Sequence, residues 1–257
     1  MFCFSVGRSG STLLLRILNA HDDISLCGEH AGFLKPLLHS IHELGNDPAA
    51  KNMQKGYTES HLAEQVFSPW RQNHPPEHFV NATAKYMREC FEEPGKVWGF
   101  KETRYKAPEV EILQKIVPEA HYVLLARNPV DHTVSSLFAF GREVPEDDEG
   151  VLELADKRLR NWIRTYEAHL PLFENGITVL YEDLVSSAAA RDDLFTRLGH
   201  GPPRPGQLDP VLKEKVGSSY TGRMKARKRR KGTKKLIEDQ SELYPQAMEL
   251  YAQLQQR

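Results

Sequence analysis

The segment Gly7-Arg8-Ser9-Gly10-Ser11-Thr12 packs glycines, hydroxyls and an arginine into one short stretch. Residues of these types at this spacing make an anion site. Backbone N–H groups in a tight turn and at the start of a helix converge on one point, and the positive end of the helix dipole reinforces them. Gly7 and Gly10 let the backbone come close to an oxyanion. Ser9, Ser11 and Thr12 add hydroxyl donors, and Arg8 offers a planar fork suited to phosphate or sulfate oxygens. A loop for ATP or GTP reads GxxxxGK[ST], with a lysine for the terminal phosphates and a hydroxyl for magnesium. No lysine precedes Ser11 or Thr12. The loop is therefore suited to a phosphorylated cofactor of another kind.

A second cation stands at Arg127, where the apolar run His121-Tyr122-Val123-Leu124-Leu125-Ala126 ends and a helical segment begins after Asn128-Pro129. Ligands of open α/β sheets collect at the carboxyl ends of strands, so Arg127 is placed to meet an anion, and Ser135, two helical turns on, can reach the same group. Glu29 follows a second strand, as a base or as an acid favoured by a helix N-terminus. Lys101 closes the strand Val97-Trp98-Gly99-Phe100, facing the same crevice or solvent. Tyr181-Glu182-Asp183 ends a further strand, with Glu182 and Asp183 suited to capping the next helix.

These residues need a sheet to hold them. Short apolar runs at Phe2–Val6, Ile24–Cys27, Val97–Lys101, His121–Ala126 and Ile177–Tyr181 alternate with helical patterns, which predicts an α/β fold with a mostly parallel five-stranded sheet flanked by helices. Helices are expected from about Ser11 to Asn19, His30 to Leu44, Glu77 to Glu92, Val151 to Phe173 and Lys235 to Arg257. A polar stretch from Pro48 to Pro76 is expected to carry a short helix near His61–Trp70 and to help shape an acceptor surface. The 257 residues suit a single domain, 1–257, with 45–96 as an acceptor-side helical insertion.

The apolar runs fall well short of the roughly 20 residues of a spanning helix, and the chain enters its first strand without a leader, so no membrane span and a cytoplasmic location are expected. Cys3, Cys27 and Cys90 are too few and too scattered for a disulfide framework or a zinc site, and two of them are expected on buried strands. The net charge is −1, yet Arg223 to Lys235 holds nine Lys or Arg and no acid. That run reads as a nucleic-acid or localisation patch, as a solvated tail, or as a basic loop over the cofactor. It has no interleaved aromatics and the rest of the chain is acidic, so nucleic acid is the least favoured partner.

The string Gly7-Arg8-Ser9-Gly10-Ser11-Thr12-Leu13-Leu14, with Cys27-Gly28-Glu29 downstream, resembles the sulfotransferases that use 3'-phosphoadenosine 5'-phosphosulfate (PAPS). The likeness is nearest to the tyrosylprotein sulfotransferases and related bacterial enzymes, whose loop reads Pro-Arg-Ser-Gly-Thr-Thr-Leu; Gly7 stands in place of the proline. The segment from Arg127 to Ser135 matches the family pattern Arg-x-Pro-x5-Ser, which holds the 3'-phosphate. By this resemblance Arg8, Ser9, Gly10, Ser11 and Thr12 bind the 5'-phosphosulfate, and Tyr181, Ser219 and Arg223 belong to the cofactor site. Glu29 is the base, while Arg8, Lys101 and Ser218 stabilise the departing 3',5'-adenosine bisphosphate (PAP). No metal is required.

The tyrosylprotein enzymes have a further arginine where this chain has Ala139, and Arg142 is the nearby candidate to replace it. The resemblance also implies that 217–235 covers the cofactor as a basic loop. The acceptor is expected to bear a hydroxyl or amine, on a sugar, peptide or small molecule, with an anionic one drawn to the basic run. Two alternatives stand beside this reading: a small-molecule kinase using ATP and magnesium, and a non-catalytic nucleotide-binding protein of the same fold.

Overall fold

The computed structural model describes residues 1–46, 76–139, 144–213 and 223–257. Its centre is a five-stranded sheet of β1 (Phe2–Ser5), β2 (Ile24–Cys27), β3 (Val97–Glu102), β4 (Tyr122–Ala126) and β5 (Ile177–Leu180), in the spatial order β2-β3-β1-β4-β5. Every pairing is parallel. The expected strands are thus all present, within a residue or so of their predicted ends.

Alternate residues of these strands feed two cores. Phe2, Phe4, Phe100, Tyr122 and Leu124 face one side. There they meet α2 (Lys35–Asn46), α3 (Pro76–Phe91), α4 (Ala107–Ile116), α5 (Pro129–Leu137) and α6 (Asp148–His169). Cys3, Leu26, Val123, Leu125 and Val179 face the other side, against α1 (Ser11–Leu18), α7 (Tyr181–Ser186) and α8 (Ala188–Arg197). A side-chain period of two thus buries both faces. On α1, Leu14, Ile17 and Leu18 are fully buried, each burial contributing about 1.5–3 kcal/mol. Asn19 clasps the end of that helix to β2, its amide exchanging bonds of 2.8 and 2.7 Å with the Leu26 carbonyl and N–H.

Several local expectations change. The helix expected from His30 begins only at Lys35, because Ala31 and Gly32 take left-handed backbone angles of φ 58 and 72. The long helix α6 ends at His169 and tightens into a 3-10 turn, Leu170–Phe173, around Pro171. Cys3 is buried, but Cys27 is exposed at the end of an edge strand. Tyr181 opens α7 instead of closing β5, and Leu180 caps that helix without a side-chain bond.

The basic run is helical: α10 (Arg223–Gln240) follows the short α9 (Asp209–Lys213). Within it Leu236 and Ile237 are buried, Lys234 pairs with Asp131 at 3.0 Å, and Arg229 donates to the carbonyls of Val144 and Pro145. Ser241 ends this helix, and α11 (Tyr244–Gln255) completes the described chain. The predicted helix near His61–Trp70, Arg142, Ser218 and Ser219 lie outside the described residues. Among the described residues no helix is long and apolar enough to cross a membrane.

Candidate functional site

Strand register brings the chemistry together. Phe4 lies opposite Glu102, so the end of β3 is level with the loop that leaves β1. Cys27 lies opposite Phe100, which carries Gly28 and Glu29 alongside Lys101. Ala126 lies opposite Leu180, which sets Arg127 beside Tyr181. These are the carboxyl ends of parallel strands, the usual edge for ligand sites. A cleft of about 970 Å³ opens there, lined by Arg8, Gly10, Ser11, Thr12, Glu29, Arg127, Ser135 and Tyr181 among others.

The floor of the cleft is the start of α1. Gly10 caps this helix in the left-handed region, φ 89, with no side-chain bond to the first-turn N–H groups. Leu13 N–H donates back to the Gly10 carbonyl at 2.9 Å, which leaves the Ser11 and Thr12 N–H groups and the helix dipole to face an anion. Gly10 also lies flat against Tyr181, since a Cβ there would sit 2.1 Å from the ring. Arg127 stacks on the same ring at 4.5 Å from its centre and donates from Nη1 to the Arg8 carbonyl at 3.1 Å. Its buried Nε has no hydrogen-bond partner among the described residues, and the guanidinium, oriented by these contacts, lines the cleft.

Ser9 departs from expectation. It is completely buried, with its hydroxyl 3.3 Å from the Tyr166 hydroxyl on α6, and does not line the cleft. Its side chain holds the loop down. His132 does the same from α5: its Nε2–H donates to the Gly7 carbonyl at 2.8 Å, and burial presses its imidazolium down to about 4. The ring is thus neutral near pH 7, with Nδ1 the bare nitrogen.

Glu29 reaches the cleft with a side chain 34% exposed, while Lys101 behind it is 5% exposed and donates from Nζ to Glu29 Oε1 at 2.5 Å. Burial pushes the Glu29 carboxyl up, but bonds from Lys101 and Thr103 and the charge of Arg104 outweigh it, and its pKa is lowered. The upward shift that burial alone implies is therefore overcome. Glu102 is wholly buried and anchors the loop, with Oε2 accepting from Gly32 N–H and Oε1 from Thr103 and Arg104 N–H. His30 turns into an aromatic cage of Phe33, Phe91, Phe100 and Tyr105.

Asn128 caps α5 with its side chain, accepting from Val130 and Asp131 N–H. Its own N–H donates to Glu182 Oε1, and Glu182 Oε2 accepts from Tyr251 on α11. Glu182 thus braces the Arg127 turn, where a helix cap was expected. Arg104, His132, Arg158 and Asn161 also line the cleft. Arg158 and Asn161 sit three apart on α6, a spacing that puts them on one helix face beside the buried stripe, and this spacing was the available sequence signal.

A family model described as "Sulfotransferase family" matches residues 1–191. The chain belongs to the sulfotransferase family. Its fold is similar to that of the sulfotransferase domain from the Synechococcus PCC 7002 olefin synthase, at 20% identity and a TM-score of 0.50, covering 85% of this chain and 80% of that one. The curated proteins searched contain no match. For this sulfotransferase the first loop, the Arg127 turn and the Glu29 and Lys101 pair all fall within the matched residues. Ser135 lines the cleft with Arg127. Arg223 starts α10.

Proposed function

We propose that this sulfotransferase takes PAPS as donor, moves its sulfuryl group in line to a hydroxyl or amine of an acceptor, and releases PAP. One observation carries the reading: a helix N-terminus without a side-chain cap and an oriented arginine with an unpartnered donor share one cleft, with an ionised carboxylate opening into it. The first suits a 5'-phosphosulfate, and the second with Ser135 suits a 3'-phosphate. PAPS, when bound, supplies an activated sulfuryl group whose leaving group is a phosphate.

The residues then have separable work. Thr12, Ser11 and the first-turn N–H groups hold the anionic end of the donor, and Arg8 adds charge. Glu29 accepts the acceptor proton, which makes the hydroxyl a better nucleophile. Lys101 keeps that carboxylate ionised and aimed, and stands ready to offset charge once Glu29 is neutral. Tyr181 supplies a flat wall, and Arg158 lines the same cleft as Ala139, offering the cation that Ala139 lacks. Ser218, Ser219 and Arg223 remain proposed contacts on the cofactor side.

Calorimetry with PAP against ATP plus magnesium, on the wild-type protein and Arg127→Ala, tests the reading. Tight binding of PAP that is lost in the variant is the expected result. A preference for ATP with magnesium would overturn it in favour of a kinase.

A further inference from the structure

At the amino ends of β2 and β3, at the opposite end of the sheet from the cleft, three side chains from two turns converge. His21 leaves α1 in a turn closed by its N–H on the Leu18 carbonyl, and its ring lies on Phe195 with centres 5.4 Å apart. Asp23 is pinned to the sheet, its carbonyl accepting from Val97 N–H at 2.8 Å. His200 follows α8, whose end is capped by Gly199 at φ 78 while His200 N–H returns to the Phe195 carbonyl at 2.8 Å. That glycine cap fixes where the His200 ring emerges.

One ligand atom from each of His21, Asp23 and His200 lies within 4.8 Å of the other two. The imidazole centres are 5.1 Å apart, and Asp23 Oδ2 is 3.9 Å from His21 Nδ1. The neighbouring Asp22 is engaged elsewhere, by Arg204 at 2.7 Å and Gln207 at 3.2 Å.

We propose that His21, Asp23 and His200 form a binding site for a divalent transition-metal ion of the zinc class, separate from the transfer cleft. Two imidazoles and a carboxylate are the donor set that suits Zn²⁺, Co²⁺ or Ni²⁺, whereas Mg²⁺ and Ca²⁺ prefer oxygen alone. Metal–ligand bonds of about 2.0–2.2 Å require ligand atoms closer than the present spread. Asp23 is exposed and His200 half-buried in a connector, so both have room to close in. His21 Nδ1 accepts a 3.2 Å contact from Asp23 N–H. Binding gives up that contact, because this nitrogen must then hold either the metal or a proton. The ion ties the end of α1 to the start of β2 and to the end of α8.

Chelator-stripped protein is titrated with Zn²⁺ by calorimetry and with Co²⁺ by visible absorption, as wild type, Asp23→Asn and His200→Gln. One ion per chain is expected, with a rise in Tm on adding Zn²⁺, and at least about tenfold weaker binding in each variant. Asp23 is on the surface, so its variant reports even if His200→Gln folds poorly. Absence of binding tighter than about 100 μM, or binding equal in wild type and Asp23→Asn, overturns the site. Neither outcome bears on PAP binding, which is measured apart.

Discussion

Lys101 Nζ lies 2.5 Å from Glu29 Oε1, a buried cation directly behind a carboxylate that faces the cleft. The sequence separates the two by a long stretch, and the β2 to β3 register joins them. In the proposed reaction they act as one unit, so their losses are expected to be strongly non-additive.

Replacing Glu29 by Gln keeps the shape and removes the proposed base. Turnover is expected to fall by about 10²–10⁴-fold, with PAP affinity within a few-fold of wild type by calorimetry. Unchanged turnover excludes Glu29 as the base.

The pH profile follows from the same pair. Because the carboxyl pKa is lowered, Glu29 is already ionised above the ordinary carboxylate range, and kcat/KM should show no Glu29 limb between about pH 5 and 8. Lys101→Met removes the largest lowering influence and leaves burial opposed only by Thr103 and Arg104, so an acidic limb should move upward from its wild-type position. The initial-rate profile of the variant checks the direction.

The wall of the cleft is tested by two neighbouring glycines. Gly10→Ala meets Tyr181 and needs φ 89, at about 1–2 kcal/mol for the backbone alone. Gly7 has open space around it. Gly10→Ala should lower Tm and abolish PAP binding, while Gly7→Ala should change both little.

Tyr181 and Arg127 give a complementary contrast. Tyr181→Phe preserves the surface on which Arg127 stacks, so PAP affinity should barely move. Arg127→Lys keeps charge but loses the fork held by the Arg8 carbonyl, and should weaken PAP by about 10–100-fold.

His132 makes stability depend on pH. Its pKa is about 4 when folded against about 6.5 unfolded, so between these values the unfolded chain binds the proton and the folded chain does not. Stability from this group is full above about pH 6.5 and is lost as pH falls towards 4, by about 3 kcal/mol. Urea unfolding of wild type and His132→Gln across that range should converge as the medium becomes acidic.

The strands were readable because Phe2–Ser5 and Tyr122–Ala126 are short apolar runs bounded by turn residues, and such runs have few other uses in a chain of this size. Glu29, Lys101 and Arg127 were readable because each stands at or just past a strand end, and Gly10 because it opens the helix that follows β1. The loop at Ala31 and Gly32 was not, since the apolar spacing of Phe33, Leu34, Leu37 and Leu38 continues a helical pattern through it, and the Glu102 carboxylate that accepts from Gly32 N–H is distant in the chain. Nor was the inward turn of Ser9, which is set by Tyr166 on another element. Local pattern reports periods and turns; it is silent on which distant side chain completes a loop.

The hold of Tyr251 on Glu182 bears on how this chain could be shortened. A version cut after α9 would keep every described side chain that lines the cleft, and would lose, besides the proposed contacts Ser218, Ser219 and Arg223, the whole of α10 and α11. It would lose the brace on the turn that presents Arg127. The portable unit for grafting or fusion therefore extends through the last helix, and trimming should be judged by the rigidity of that turn and not by the inventory of residues facing the substrate.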